Sequence, residues 1–254
     1  MKQTELYDST RQAWEDIWAG ANVEVEFDVL NQTRTGDVLG VYPDYLDKNG
    51  IILEAGCGLA TVLMILREMG FKVIGMDYAA QALHTARRYD PSLDLQVGDV
   101  HALPYANDSV HGYLSFGVLE HFEHGLGPGL KEAHRVLVPG GTLVLTIPYP
   151  NIVWKLVQLK RRVMGQSRLT DDEFYESTYT QNQLIDAVRD AGFEPVLVRP
   201  TSHSFTLWGL GGPFRAEGYY RTSPLAERLG AVLRRIMPWT FNFSTMVIAR
   251  KIAR

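Results

Sequence analysis

From Ile51 onward the chain alternates short apolar runs with helix-length amphipathic stretches, and this alternation limits its fold more than any other feature. Strands separated by helices pair in parallel, because each helix carries the chain back across a face of the sheet. The pattern predicts strands at 51–54, 72–76, 93–98, 110–116 and 142–148, with two more at 194–199 and 245–249. Helices are expected at 60–69, 79–87, 130–136 and 180–191, and at 8–19 ahead of the first strand. Gly70, Gly192 and the cluster Pro139-Gly140-Gly141 stand where helices are expected to stop. No segment repeats and none is of low complexity.

Composition narrows the class. With 254 residues, 46% of them hydrophobic, the chain can bury one sizeable core, so a single domain over 1–254 is expected. A net charge of -4 gives no overall attraction for nucleic acid, and no nucleic-acid partner is expected. Cys57 is the single cysteine, which fits a reducing compartment. Residues 1–8 lack an apolar signal core, and no uncharged apolar run approaches the roughly 20 residues that cross a bilayer. A cytoplasmic protein is expected.

The segment Ile51-Ile52-Leu53-Glu54-Ala55-Gly56-Cys57-Gly58-Leu59-Ala60 is a strand ending in an acid, then a glycine turn, then a helix start. Gly56 and Gly58 let the backbone turn sharply and let a ligand approach it. The next strand ends in Asp77, followed by Tyr78, at the offset where an acid accepts the hydroxyls of a ribose. Taken singly, each feature has an ordinary explanation. The glycines make a turn, Asp77 caps a helix, Asp99 ends a strand, and Cys57 fills a turn. Their order at successive strand ends favours a nucleotide-like cofactor, because ligands of open α/β sheets bind there.

These residues resemble the class I methyltransferases that use S-adenosylmethionine (SAM), in particular the small-molecule, ubiquinone/menaquinone type. The resemblance covers about 51–148. It implies an α/β, Rossmann-like, doubly wound and mostly parallel sheet of seven strands, in the order 3-2-1-4-5-7-6 with the last strand antiparallel. It also implies that Glu54, Gly56, Cys57 and Gly58 face the methionine part of SAM and that Asp77 takes the ribose. In Val97-Gly98-Asp99-Val100, Asp99 would bond the adenine amino group and Val100 would offer its N–H. Phe116-Gly117-Val118-Leu119-Glu120-His121 resembles the fourth strand and the loop over the cofactor. Glu132-Ala133-His134-Arg135 through Pro139-Gly140-Gly141 resembles the signature before strand five. Ala60 stands where many members carry a third glycine; alanine is small enough to begin a helix.

Methyl transfer needs an aligned nucleophile, exclusion of water and, for some acceptors, a base. His121 is the candidate base; a loop-shaping histidine is the alternative. Gly117 stands where some quinone-pathway relatives carry an extra acid, so no metal is expected. Around the 51–148 core lie a 1–50 extension and insertions at 149–179 and 200–244, where acceptor choice is expected. Tyr7, Trp14 and Trp18 suit a lid face, and Tyr149, Trp154, Tyr175 and Tyr179 are candidate acceptor contacts. The stretches 154–164 and 225–237 are basic and amphipathic, which suits either a helix covering its own domain or contact with a membrane or lipid-linked acceptor. The rivals are a SAM-binding partner protein without turnover and a nicotinamide-dependent oxidoreductase. The latter needs glycine or alanine where Thr61 stands. The sequence leaves the oligomeric state and the acceptor open.

Overall fold

The computed structural model describes residues 12–165, 176–218 and 220–252. Its strands are β1 (Ile51–Ala55), β2 (Lys72–Asp77), β3 (Leu95–Val97), β4 (Val110–Phe116), β5 (Leu137–Pro148), β6 (Phe193–Thr201) and β7 (Ser244–Lys251). They form one sheet in the order β3-β2-β1-β4-β5-β7-β6. The first five are parallel, and β7 runs antiparallel to both β5 and β6. This is the expected Rossmann-like sheet.

The helices are α1 (12–19), α2 (Val23–Leu30), α3 (Thr33–Leu39), α4 (Thr61–Glu68), α5 (Ala80–Tyr89), α6 (Gly127–Val136), α7 (Ile152–Val163), α8 (Gln181–Asp190), α9 (His203–Trp208) and α10 (Pro224–Ile236). Strand alternation divides their packing between two faces. Leu53, Tyr113, Leu143, Leu145 and Val247 meet Leu130 and Ala133 of α6 and Leu184 and Val188 of α8. On the other face Ile52, Leu114, Val144, Met246 and Ile248 meet Val38, Tyr42, Leu46 and Leu66. Each of these residues is buried, and a fully buried aliphatic side chain contributes about 1.5–3 kcal/mol.

Two readings of the sequence change. Pro139-Gly140-Gly141 does not end helix α6, which stops at Val136; it lies inside β5. Leu137 already pairs with Val110, while Thr142 pairs with Gly112, so four residues of β5 bulge opposite His111. Gly140 turns through φ 76° within that bulge. Ala60 does begin a helix, as the cap of α4, but at φ 57° and ψ 23°. That is the left-handed region that a glycine would occupy without strain, and it costs an alanine roughly 1–2 kcal/mol.

Candidate functional site

The glycine turn is fixed from both sides. The N–H groups of Gly56 and Cys57 donate to the Met76 carbonyl oxygen at 2.7 and 3.0 Å, strapping the turn to β2. Gly56 has φ 84°, and a Cβ there would stand 2.3 Å from Val118 Cγ2. Asp77, at the tip of β2, accepts from Gly58 N–H through Oδ2 and from Ala79 N–H through Oδ1, both at 2.8 Å. The Tyr78 N–H also bonds this carboxylate, whose four or so lone-pair directions still leave room for a ligand. Burial raises the Asp77 pKa, while the N–H groups of Ala79 and Gly58 oppose that shift.

Glu54 points to the same face as Ile52 and is buried with Oε2 unpartnered. Burial first, and then the charge of Asp77, push its pKa well above the usual carboxylate range. Tyr42 lies on that face too, its hydroxyl buried and without a partner. Cys57 is a buried thiol in an apolar cluster, and its pKa is raised chiefly by that burial.

Helix α1 lies over the turn. The Glu15 carboxylate accepts from Ala80 N–H and Gln81 N–H at 2.9 and 3.0 Å, occupying the N-terminus of α5. Trp14 and Trp18 stack with ring centroids 5.9 Å apart, and Trp14 meets His121 edge-on at 5.3 Å. The Trp18 ring stands 2.6 Å from where a Cβ on Gly58 would be.

Two cavities flank this lid and share Trp18, Gly56 and Phe116 as walls. The smaller, about 70 Å³, brings together Trp14, Asp77, Tyr78 and His121. The larger, about 210 Å³, reaches Tyr42, Glu54, Cys57, Gly58, Thr146 and Ser244. His121 is buried.

Asp99 and Val100 lie outside both linings. Asp99 accepts from His101 N–H and contacts His101 Nδ1 through the same Oδ1, each at 2.8 Å, and the contact with the His101 side chain lowers its pKa. Val100 is buried in the core. Their loop is held by the Glu132–Arg135 pair. Arg135 donates to the carbonyl oxygens of Leu103 and Tyr105 and binds both oxygens of Glu132.

The aromatic candidates divide. Tyr7 and Tyr175 fall outside the described residues. Tyr149 meets the Trp239 ring at 6.0 Å, Trp154 is exposed on α7, and Tyr179 packs against the core. None of these three lines either cavity. Among the described residues no group of three His, Cys, Asp or Glu side chains is arranged to hold a metal. The sequence reading missed Tyr42, Thr146 and Ser244, although strand alternation carries the signal for Thr146 and Ser244. Glu54, Phe116, Thr146 and Ser244 each stand two positions from a core residue of one face, namely Ile52, Leu114, Val144 and Met246.

Residues 53–145 match the family described as the methyltransferase domain. A Mycolicibacterium smegmatis protein named for SAM-dependent methyl transfer is 35% identical over 56% of this chain and 51% of its own length. The ubiquinone/menaquinone biosynthesis C-methyltransferase of Cereibacter sphaeroides is 27% identical over 71% of this chain and 83% of its own. The chain spans about half the length of several of the curated relatives it matches, from 40% to 55%. A Haloferax volcanii methyltransferase structure, solved with the Trm112 methyltransferase activator, has the same fold. It superposes with a TM-score of 0.67 over 94% of this chain and 98% of that one, at 20% identity. The motifs, the sheet order and these matches make residues 53–145 a methyltransferase domain similar to the class I enzymes that use SAM as methyl donor.

Proposed function

We propose that the chain transfers the methyl group of SAM to an O, N or C nucleophile of a small biosynthetic acceptor in the cytoplasm. The observation that carries this reading is the buried Asp77 carboxylate, held by the N–H groups of Gly58, Ala79 and Tyr78, on the wall of a cavity that shares Trp18, Gly56 and Phe116 with a larger one. The residues fit SAM. A ribose hydroxyl donates to the lone-pair capacity that Asp77 keeps, with Tyr78 beside it. Gly56 leaves the turn bare for the methionine part, with Glu54, Cys57 and Gly58 behind it. The adenine is met by the Asp99–Val100 segment.

Bound SAM supplies an electrophilic methyl group on a positively charged sulfur. The protein's share is position and dryness. Trp14 and Trp18 of α1 exclude water from the turn. Phe116 and Gly56 form the wall the two cavities share, so an acceptor in the larger cavity adjoins the methyl donor. His121 takes a proton from acceptors that must lose one. Exposed Trp154, at the start of α7, guides larger acceptors, including lipid-linked ones.

The test is calorimetry with SAM and S-adenosylhomocysteine, followed by a screen of acceptor classes read by homocysteine release. Binding of neither ligand refutes the reading. Binding with no release on any acceptor class marks a SAM-binding partner protein instead. Asp77→Ala removes charge-assisted hydrogen bonds worth about 1.5–3 kcal/mol each, so both ligands should weaken by at least tenfold. Unchanged affinity in that variant would place the ribose elsewhere.

A further inference from the structure

Helices α7 and α10 carry the same pattern at the same spacing, and both show it to solvent. In α7, Ile152, Leu156, Leu159 and Val163 recur at steps of four, three and four, with exposures of 38%, 57%, 57% and 79%. In α10, Leu225, Leu229, Val232 and Ile236 recur at the same steps, with exposures of 44%, 40%, 52% and 66%. A basic residue stands three and ten positions after the first apolar residue of each stripe. These are Lys155 and Arg162 in α7 and Arg228 and Arg235 in α10. At 100° per residue they flank the stripe on one side, and in α7 Lys160 flanks it on the other.

The protein-facing sides make the exposure more telling. Helix α10 packs on α9 through its small residues, Ala226 and Gly230. A Cβ on Gly230 would stand 2.6 Å from the Ser204 backbone nitrogen. Arg234 pairs with Asp37 on α3. Helix α7 buries Val153 and is anchored through Asn151, which accepts from Trp154 N–H at 2.9 Å and donates to the Asn242 carbonyl oxygen at 3.1 Å. An ordinary surface helix turns its large apolar residues inward. These two turn them outward.

The helices meet. Ile152 N–H donates to the Thr240 carbonyl oxygen at 3.1 Å, just beyond the end of α10, and Tyr149 packs on Trp239 there. Charge selects the occupant of this surface. Residues 149–165 and 224–240 contain seven Lys or Arg and one acid, Glu227, in a chain whose net charge is -4. Exposed Trp154 adds an aromatic side chain of the kind enriched at membrane interfaces. No helix among the described residues is long and apolar enough to cross a membrane.

We propose that the paired stripes of α7 and α10 dock this chain on an anionic lipid surface, apolar side chains in the acyl boundary and Lys155, Arg162, Arg228 and Arg235 against the headgroups. Helix α7 follows the carboxyl end of β5, the edge of the sheet that carries the glycine turn. Docking therefore holds the site close to lipid-dissolved molecules.

The experiment is vesicle co-sedimentation of the full chain, with phosphatidylcholine alone and with phosphatidylglycerol added. Binding is expected only to the anionic vesicles, and it should fall as salt rises. The pair Lys155→Glu and Arg162→Glu should weaken it, by about fivefold for each cation removed. The pairs Leu156→Gln with Leu159→Gln, and Leu229→Gln with Ile236→Gln, should each weaken it further with the thermal midpoint unchanged, since all four side chains are exposed. A chain that stays in the supernatant with anionic vesicles overturns the proposal, as does binding that none of these variants reduces. Self-association abolished by the Leu→Gln pairs, without vesicle binding, assigns the stripes to a second copy of the chain and also overturns it.

Discussion

Three acids, Glu54, Asp77 and Glu120, are buried at the carboxyl edge of the sheet, and their neighbours separate their behaviour. Asp77 holds the backbone N–H groups of Gly58, Ala79 and Tyr78, whereas Glu54 and Glu120 each keep a buried oxygen without a partner. For Glu120 burial pushes the pKa well above the usual range, with Glu176 adding to the rise. A carboxyl whose folded pKa is raised binds more protons in the native chain than in the unfolded one. Its contribution to stability therefore falls as pH rises above the unfolded value, about 4.3 for glutamate. Glu120→Gln should raise the thermal midpoint at pH 8 and leave it unchanged at pH 4. Equal midpoints at both pH values would mean that Glu120 is ionised and partnered in the fold. Glu54 carries the same penalty but lines the larger cavity, so a ligand donating to Oε2 would relieve it there.

Helix α1 stays over the glycine turn because Glu15 supplies the acceptors that the first turn of α5 lacks. Glu15→Ala should cost about 0.5–2 kcal/mol, the range for a lost N-terminal cap. It should also leave Trp14 and Trp18 more open to acrylamide quenching, and unaltered quenching would show that ring packing alone holds the lid. This contact illustrates what the sequence left illegible. The strands could be read because each is a short apolar run; β4 was placed to the residue, and β1 and β2 to within one. Val23 to Val29 alternates apolar and acidic residues with the period of a strand, yet it forms α2. Asn22 caps it by accepting from Glu24 and Val25 N–H, and Val23 and Val29 are buried. Leu137 extends β5 backwards because pairing with Val110 buries it, a gain that no local pattern expresses. At the site, the motifs located Glu54, Gly56, Gly58 and Asp77, while Tyr42 and Ser244 come from distant segments that only the folded sheet joins.

At the scale of the whole molecule, β7 holds the far half of the sheet together. It lies between β5 and β6, and β6 has no other strand partner among the described residues. Its residues from Thr245 to Ala249 are all buried. A chain cut after Phe243 leaves β6 unpaired and exposes the edge of β5. Such a chain should lose cooperative thermal unfolding, followed by circular dichroism, and should aggregate. A sharp transition in the truncated chain would show that β1 to β5 fold without that support. The placing of β7 also bears on synthesis. A ribosome adding about 5–20 residues per second needs roughly 2–9 seconds to pass from Thr201 to Ser244. Throughout that interval the finished half of the sheet offers an open β5 edge, and β6 waits for a partner not yet made. Chaperone demand should therefore be concentrated between the synthesis of Thr201 and that of Ser244, when the order of synthesis and the order of pairing in the sheet differ most.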